Sequence, residues 1–100
     1  MPFVEIRAIR EKIVRVKKDG KVLISKDLRD KYFPSGRMLV FLDKENKLLG
    51  LQPSDKGYKI STYGTITSKK LLHLGVKVGK YTGEWNDKHN MVVASIEMKG

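Results

Sequence analysis

The chain has 100 residues, 40% of them apolar and 32% charged, with 21 Lys and Arg against 11 Asp and Glu and a formal net charge of +10. That length and balance suit a single globular domain over 1–100 and argue against disorder. No apolar run approaches the ~18 residues of a membrane-spanning helix, so no membrane partner is expected. The absence of cysteine excludes a disulfide framework, thiolate metal sites and thiol catalysis, and fits a cytoplasmic protein.

The opening "PFVEIRAIR", 2–10, alternates Val4, Ile6 and Ala8 as a strand does, although Ile6, Ile9, Ile13 and Val16 also suit a helix. The first twelve residues are charged throughout and hold no signal-peptide core. "KIVRVKK", 12–18, reads as a strand, Asp19-Gly20 as a hairpin turn and "KVLI", 21–24, as the returning strand. Ser25 is placed to cap a short helix with its hydroxyl, and Asp27 falls in the first turn, where the helix dipole favours it. Leu28 and Phe33 should face the core, and Pro34 stops the helix near Phe33. "RMLVFLD", 37–43, and "KLLGLQP", 47–53, form a second hairpin, and "PSDKG", 53–57, leads onward.

The same order then returns. "YKIST", 58–62, and "TIT", 65–67, are short strands around Tyr63-Gly64. Ser68 caps "KKLLHL", which Gly75 ends with a positive φ. "KYTGEWND", 80–87, and "NMVVASIEM", 90–98, make the last hairpin. A shift of 43 residues brings Ser25 onto Ser68, Leu28 onto Leu71, Gly36 onto Gly79 and Arg37 onto Lys80. Matching Gly20 to Gly64 requires one deletion. The chain is therefore expected to be mainly β (α+β): a small β-barrel of two ββαββ-like repeats, about 12–53 and 58–98, with one short helix each. Neither half is long enough to bury both faces of its strands alone. Packed about a pseudo-twofold axis, the two halves can do so, as a monomeric pseudo-dimer or with further dimerisation.

Charge follows the repeat. Residues 1–31 carry a net +5, residues 32–55 none, residues 56–83 six Lys and no acid, and residues 84–100 a net −1. In each half the basic part is the first hairpin plus helix, so twofold packing gathers both basic parts on one face. A charge excess of this kind is the footprint of a polyanion partner, the plain alternative being a solvated surface serving solubility.

The stretch 13–53, "IVRVKKDGKVLISKDLRDKYF" followed by "GRMLVFLDKENKLLGLQP", resembles the AbrB/MazE/MraZ superfamily of swapped-hairpin and related double-psi β-barrels. Gly20-Lys21 stands for the family's Gly-Arg, Ile24-Ser25 for its Ile-Pro, Asp27-Leu28-Arg29 for its helix, and Ser35-Gly36 for the glycine before the third strand. Lys replaces Arg and Ser replaces Pro at those places. In the second half only Ser68, Leu71 and Gly79 keep the skeleton. The resemblance implies a barrel made of two such units, here within one chain, and DNA binding of the transition-regulator or antitoxin kind. It implies contacts from Lys21, from Arg15 if one loop residue is missing, and from the helix residue Arg29.

The expected function is binding of nucleic acid, above all double-stranded DNA, by a transcription regulator or chromatin-type protein. Arg10, Lys12, Arg15, Lys17, Lys18 and Lys21 would meet phosphates or groove edges from the first unit, with Arg29 added by the resemblance. Lys59, Lys69 and Lys70 would do so from the second. Cations on phosphates release counterions, so such binding falls with salt. Arg10 and Arg15 suit base edges, because guanidinium pairs bidentately with guanine. Two alternatives compete. One is a protein-interaction or adaptor barrel whose basic face meets acidic protein. The other is RNA binding, with Tyr58, Tyr63, Tyr81 or Trp85 stacked on bases, although these aromatics also suit packing on the sheet. No enzyme, metal or cofactor is expected. His73 and His89 lack further ligands at metal spacing, and no glycine loop is built to cradle a phosphate.

Overall fold

The computed structural model of the chain describes Phe3 and residues 12–99. The strand expected over 2–10 lies, Phe3 apart, outside the described residues. The elements are β1 (Ile13–Val16), β2 (Lys21–Ile24), α1 (Lys26–Tyr32), β3 (Arg37–Asp43), β4 (Leu48–Ser54), β5 (Tyr58–Lys59), β6 (Thr65–Thr67), α2 (Lys69–His73), β7 (Gly79–Asn86) and β8 (Met91–Ser95). This is β-β-α-β-β twice over. All eight strands belong to one antiparallel sheet, in the order β5-β3-β4-β8-β7-β1-β2-β6. Its two edge strands follow one another in the chain. The Ser61 amide donates to the Thr65 carbonyl at 2.9 Å beside them, and the two hydroxyls lie 2.7 Å apart. The sheet thus curls into a nearly closed barrel.

Hairpins from the two halves alternate around it: β1-β2, then β6-β5, then β3-β4, then β8-β7. Exchanging the halves turns the β1–β7 pairing into β5–β3 and the β3–β4 pairing into β7–β8. It leaves β2–β6 and β4–β8 in place. The pseudo-twofold axis therefore runs through two seams. At one, Gly50 faces Val93, the pair that the 43-residue shift converts into itself. At the other, Val22 faces Ile66.

Strand alternation sends one side chain in two to the centre. Val14, Val16, Val22, Ile24, Met38, Leu49, Leu51, Ile66, Val92 and Ala94 are buried there. The helices close the core with Leu28 and Phe33 from the first half and Leu71 from the second, each such large side chain contributing roughly 1.5–3 kcal/mol of burial. The helix ends follow the sequence. α1 stops one residue before Phe33 and two before Pro34. At the end of α2, Gly75 has φ +98°, its amide donates to the Leu72 carbonyl, and the Val76 amide donates to that of Leu71. That is a Schellman motif.

The helix starts differ from expectation. Neither Ser25 nor Ser68 caps its helix with its side chain. Ser25 Oγ accepts from the Ile13 amide at 3.2 Å, and Ser68 Oγ lies 3.2 Å from the Tyr58 hydroxyl. Each serine reaches back to the first strand of its own half, because the hairpin brings that strand's unpaired polar atoms within reach. β5 is also shorter than "YKIST": the Ile60 amide donates to the Gly36 carbonyl, and Ser61 is already part of the turn.

The last hairpins turn alike. Asp43 Oδ1 accepts from the Asn46 amide at 3.1 Å, and Asn86 Oδ1 from the His89 amide at 3.1 Å. Lys47 and Asn90, each the next residue, adopt φ +55° and +52°. Asp43 also accepts from Asn46 Nδ2 at 2.8 Å. These bonds, led by the side-chain one, hold its carboxyl below the ordinary value. A lowered folded pKa stabilises above the unfolded value near ~3.9 and is lost as pH falls through the folded one. Carboxyl NMR should therefore find Asp43 titrating below ordinary Asp, and the difference should shrink in Asn46→Ala, which loses the side-chain bond and keeps the backbone ones.

The glycine turns of the first hairpins sit tightly across the second seam. Gly64 has φ +81°, its carbonyl accepts from the Ile24 amide, and a Cβ there would lie 2.8 Å from the Ile24 oxygen. Gly36, at φ +72°, has open space where its Cβ would be. Gly36→Ala should cost only the left-handed backbone penalty of about 1–2 kcal/mol. Gly64→Ala should cost clearly more in urea unfolding, and equal losses would contradict this packing.

Candidate nucleic-acid interface

The β2–β6 seam joins the first hairpins of the two halves into one outward surface. Val14, Val16, Val22, Ile24 and Ile66 point inward, so the residues between them point out. Arg15 and Lys21 are exposed on β1 and β2, and Lys59 on β5 beyond β6. Lys18 is exposed in the β1–β2 turn, beside the half-buried Lys17. Arg15, Lys17 and Lys18 line an open depression of about 430 Å³ with Asp19 and Val78. Asp19 is used locally, its Oδ1 accepting from the Lys21 amide at 3.1 Å. α2 begins against the same turn, since a Cβ on Gly20 would lie 3.0 Å from Lys69 Cα. Lys69 and Lys70 are exposed on that helix.

Three expected residues stand apart from this cluster. Arg10 lies outside the described residues. Lys12 is exposed but lines a different depression, of about 350 Å³, whose rim includes Asp27, Asp30 and Lys31. Arg29 is half-buried, and its Nε donates to the Ile24 carbonyl at 3.2 Å. Its guanidinium lies against Gly64, so it ties α1 to the turn of the other half.

Two cations enter the surface that sequence reasoning did not select. Lys80 on β7 stands opposite Arg15 on β1, and Arg37 on β3 stands opposite Lys59 on β5. All four are exposed. Their signal was present in the 43-residue shift, which superposes Arg37 on Lys80.

The opposite pole, at the β4–β8 seam, carries charges of both signs in its turns and an apolar strip between them. On the flank between the two seams, Leu39, Val40 and Phe41 of β3 line a depression of about 490 Å³ with Gly57 and Tyr58, the residue before Lys59. A second one, of about 260 Å³, lies at the seam itself and runs past Gly50, Met91 and Val93 to Asp43, Asn86 and His89. Phe41 is 46% exposed there. The aromatics divide. Trp85 stacks on Tyr32 with ring centroids 4.5 Å apart, and its Nε1 donates to Asp87 at 2.7 Å. The Tyr81 hydroxyl donates to the Lys77 carbonyl at 2.6 Å. Tyr63 is 83% exposed at the tip of the β5–β6 turn.

His73 and His89 are both exposed. Among the described residues, no group of three or more His, Cys, Asp or Glu is placed to hold a metal ion, and no helix is long and apolar enough to cross a membrane. Comparison with family models, with curated proteins and with solved structures finds no match to this chain.

The placement of Arg29 separates it from the solvated cations. Arg29→Ala should cost about 1–3 kcal/mol of unfolding free energy, by leaving a buried carbonyl without its charged donor. Lys21→Ala should stay within about 0.5 kcal/mol of the parent. Equal effects in chemical denaturation would mean that Arg29 has no structural role.

Proposed function

We propose that the protein binds double-stranded nucleic acid, and DNA in particular, through the basic surface across the β2–β6 seam. The carrying observation is that cations from distant parts of the sequence, Arg15 to Lys21 and Lys59 to Lys70, share one surface while the second hairpins, at the opposite pole, carry charges of both signs. A surface of one sign attracts a polyanion over its whole width, and each phosphate contact releases counterions. Arg15 is the residue suited to guanine edges, because a guanidinium donates two parallel hydrogen bonds where an ammonium cannot. A cytoplasmic transcription regulator or chromatin-type protein fits this reading. The alternation of hairpins from two halves favours a swapped-hairpin threading over the double-psi one that the resemblance left equally open, with both units in one chain.

Tyr63 favours a second reading, in which single-stranded RNA stacks a base on its exposed ring beside the same cations. Titration of labelled duplex DNA and of single-stranded RNA at rising salt separates the two. The first reading expects tighter duplex binding, a salt slope reduced by about two in Arg15→Ala/Lys21→Ala, and no loss in Tyr63→Ala. Preference for the single strand, with a loss in Tyr63→Ala, would replace it by the second. Duplex binding untouched in a folded Arg15→Ala/Lys21→Ala variant would remove the first hairpin from the interface.

A further inference from the structure

Resting on that reading, we propose that the surface recognises phosphate at two equivalent places, each a pair of cations on neighbouring strands. One pair is Arg15 with Lys80 and the other is Lys59 with Arg37. Like charges directly opposite one another destabilise a sheet, so a single such pair is unfavourable for the fold and a repeated one doubly so. The pairs are related by the pseudo-twofold exchange, which carries β1–β7 into β5–β3. Arg15 is followed in register by Leu23 and then Thr65; Arg37 is flanked on its other side by Ser54, and its guanidinium donates to the Gly57 carbonyl at 3.2 Å; Lys80 shares a depression with Glu84. No acid stands in register beside Arg15, Arg37 or Lys59, and an anion seated between the two side chains of a pair would offset their repulsion.

The two places lie on either side of the seam. Arg15 and Lys59 are separated by β2 and β6: two interstrand steps of about 4.8 Å from β1 to β6, then the opening between the two edge strands. The axis between them makes the pairs symmetry mates. A duplex backbone has its own local twofold axes perpendicular to the helix, so its two strands can offer phosphates to both pairs in the same way. One chain would then hold one duplex segment with both strands engaged, without a second copy.

The test uses the full chain, a labelled 16-base-pair duplex and three charge-matched variants. They are Arg15→Thr/Lys80→Thr, Lys59→Thr/Arg37→Thr, and Lys44→Thr/Lys88→Thr in the distant hairpin turns. Threonine suits an exposed strand position. Each of the first two should lose affinity by about tenfold or more, the size of one charge-assisted hydrogen bond, and each should lower the salt slope by about one, for the one phosphate lost. The third should change affinity by less than about threefold, since its charges lie beyond a Debye length of ~10 Å from the seam. In the absence of duplex, the first two should melt no lower than the parent at low salt. If duplex binds and either of these pairs can be removed with no more loss than in the control, the inference is overturned while the proposed function stands. If the parent binds no duplex at low salt, the proposed function falls. The pairs are then judged by titration with inorganic pyrophosphate: amide NMR shifts at both support them, and shifts at neither sink them.

Discussion

Pairing of β2 with β6 is the contact on which the rest of the structure depends. It sets Val22 against Ile66 and joins two hairpins that come from opposite halves of the chain. Each half alone is a pair of hairpins and a short helix, too small to cover both faces of its strands. Interleaving solves this, because each hairpin finds its neighbours in the other half. The serines that begin the helices and the glycines of the first turns serve the same joint. Ser25 and Ser68 bind back to β1 and β5, and the Gly20 and Gly64 carbonyls accept from the Ser68 and Ile24 amides.

That seam also sets the electrostatics. The first hairpins and α2 are basic, and joining β2 to β6 concentrates their charge instead of spreading it over the surface. Two unit charges 4 Å apart in water repel by about 1 kcal/mol, so the fold accepts a small loss of stability where Arg15 meets Lys80 and Lys59 meets Arg37. The second hairpins, joined at the other seam, are nearly neutral and expose Phe41 beside the half-buried Met91. One symmetry operation thus gives the molecule a basic pole and a nearly neutral one. Arg29 shows the limit of reading charge by residue type: its guanidinium is half-buried and bonded to the Ile24 carbonyl.

Much of the fold was legible in the chain. The turn glycines, the apolar alternation of 21–24 and 37–43, the proline after Phe33 and Gly75 are local signals, and each acts through the conformation of its own backbone. Local signals also place both hairpin turns at Asp43 and Asn86. The candidate surface was legible only in part. Arg15, Lys21 and Lys59 could be selected as cations on strands, but Lys80 and Arg37 could not be chosen from position alone. Their significance comes from what stands opposite them, and register is a property of two strands. The same limit explains the serines, whose hydroxyls were expected on the helix and found a nearer partner on the preceding strand.

By itself, the sequence determined a mainly β domain of two ββαββ units, the turns between its strands and the division of charge between first and second hairpins. These depend on period, turn chemistry and composition, which act over a few residues. Only the tertiary structure decided that the hairpins interleave, which cations become neighbours, that Lys12 sits among carboxylates and that Arg29 turns onto the other half. Those outcomes depend on which distant strands exchange hydrogen bonds. That choice is made by burial of the shared core, which no single stretch of the chain contains.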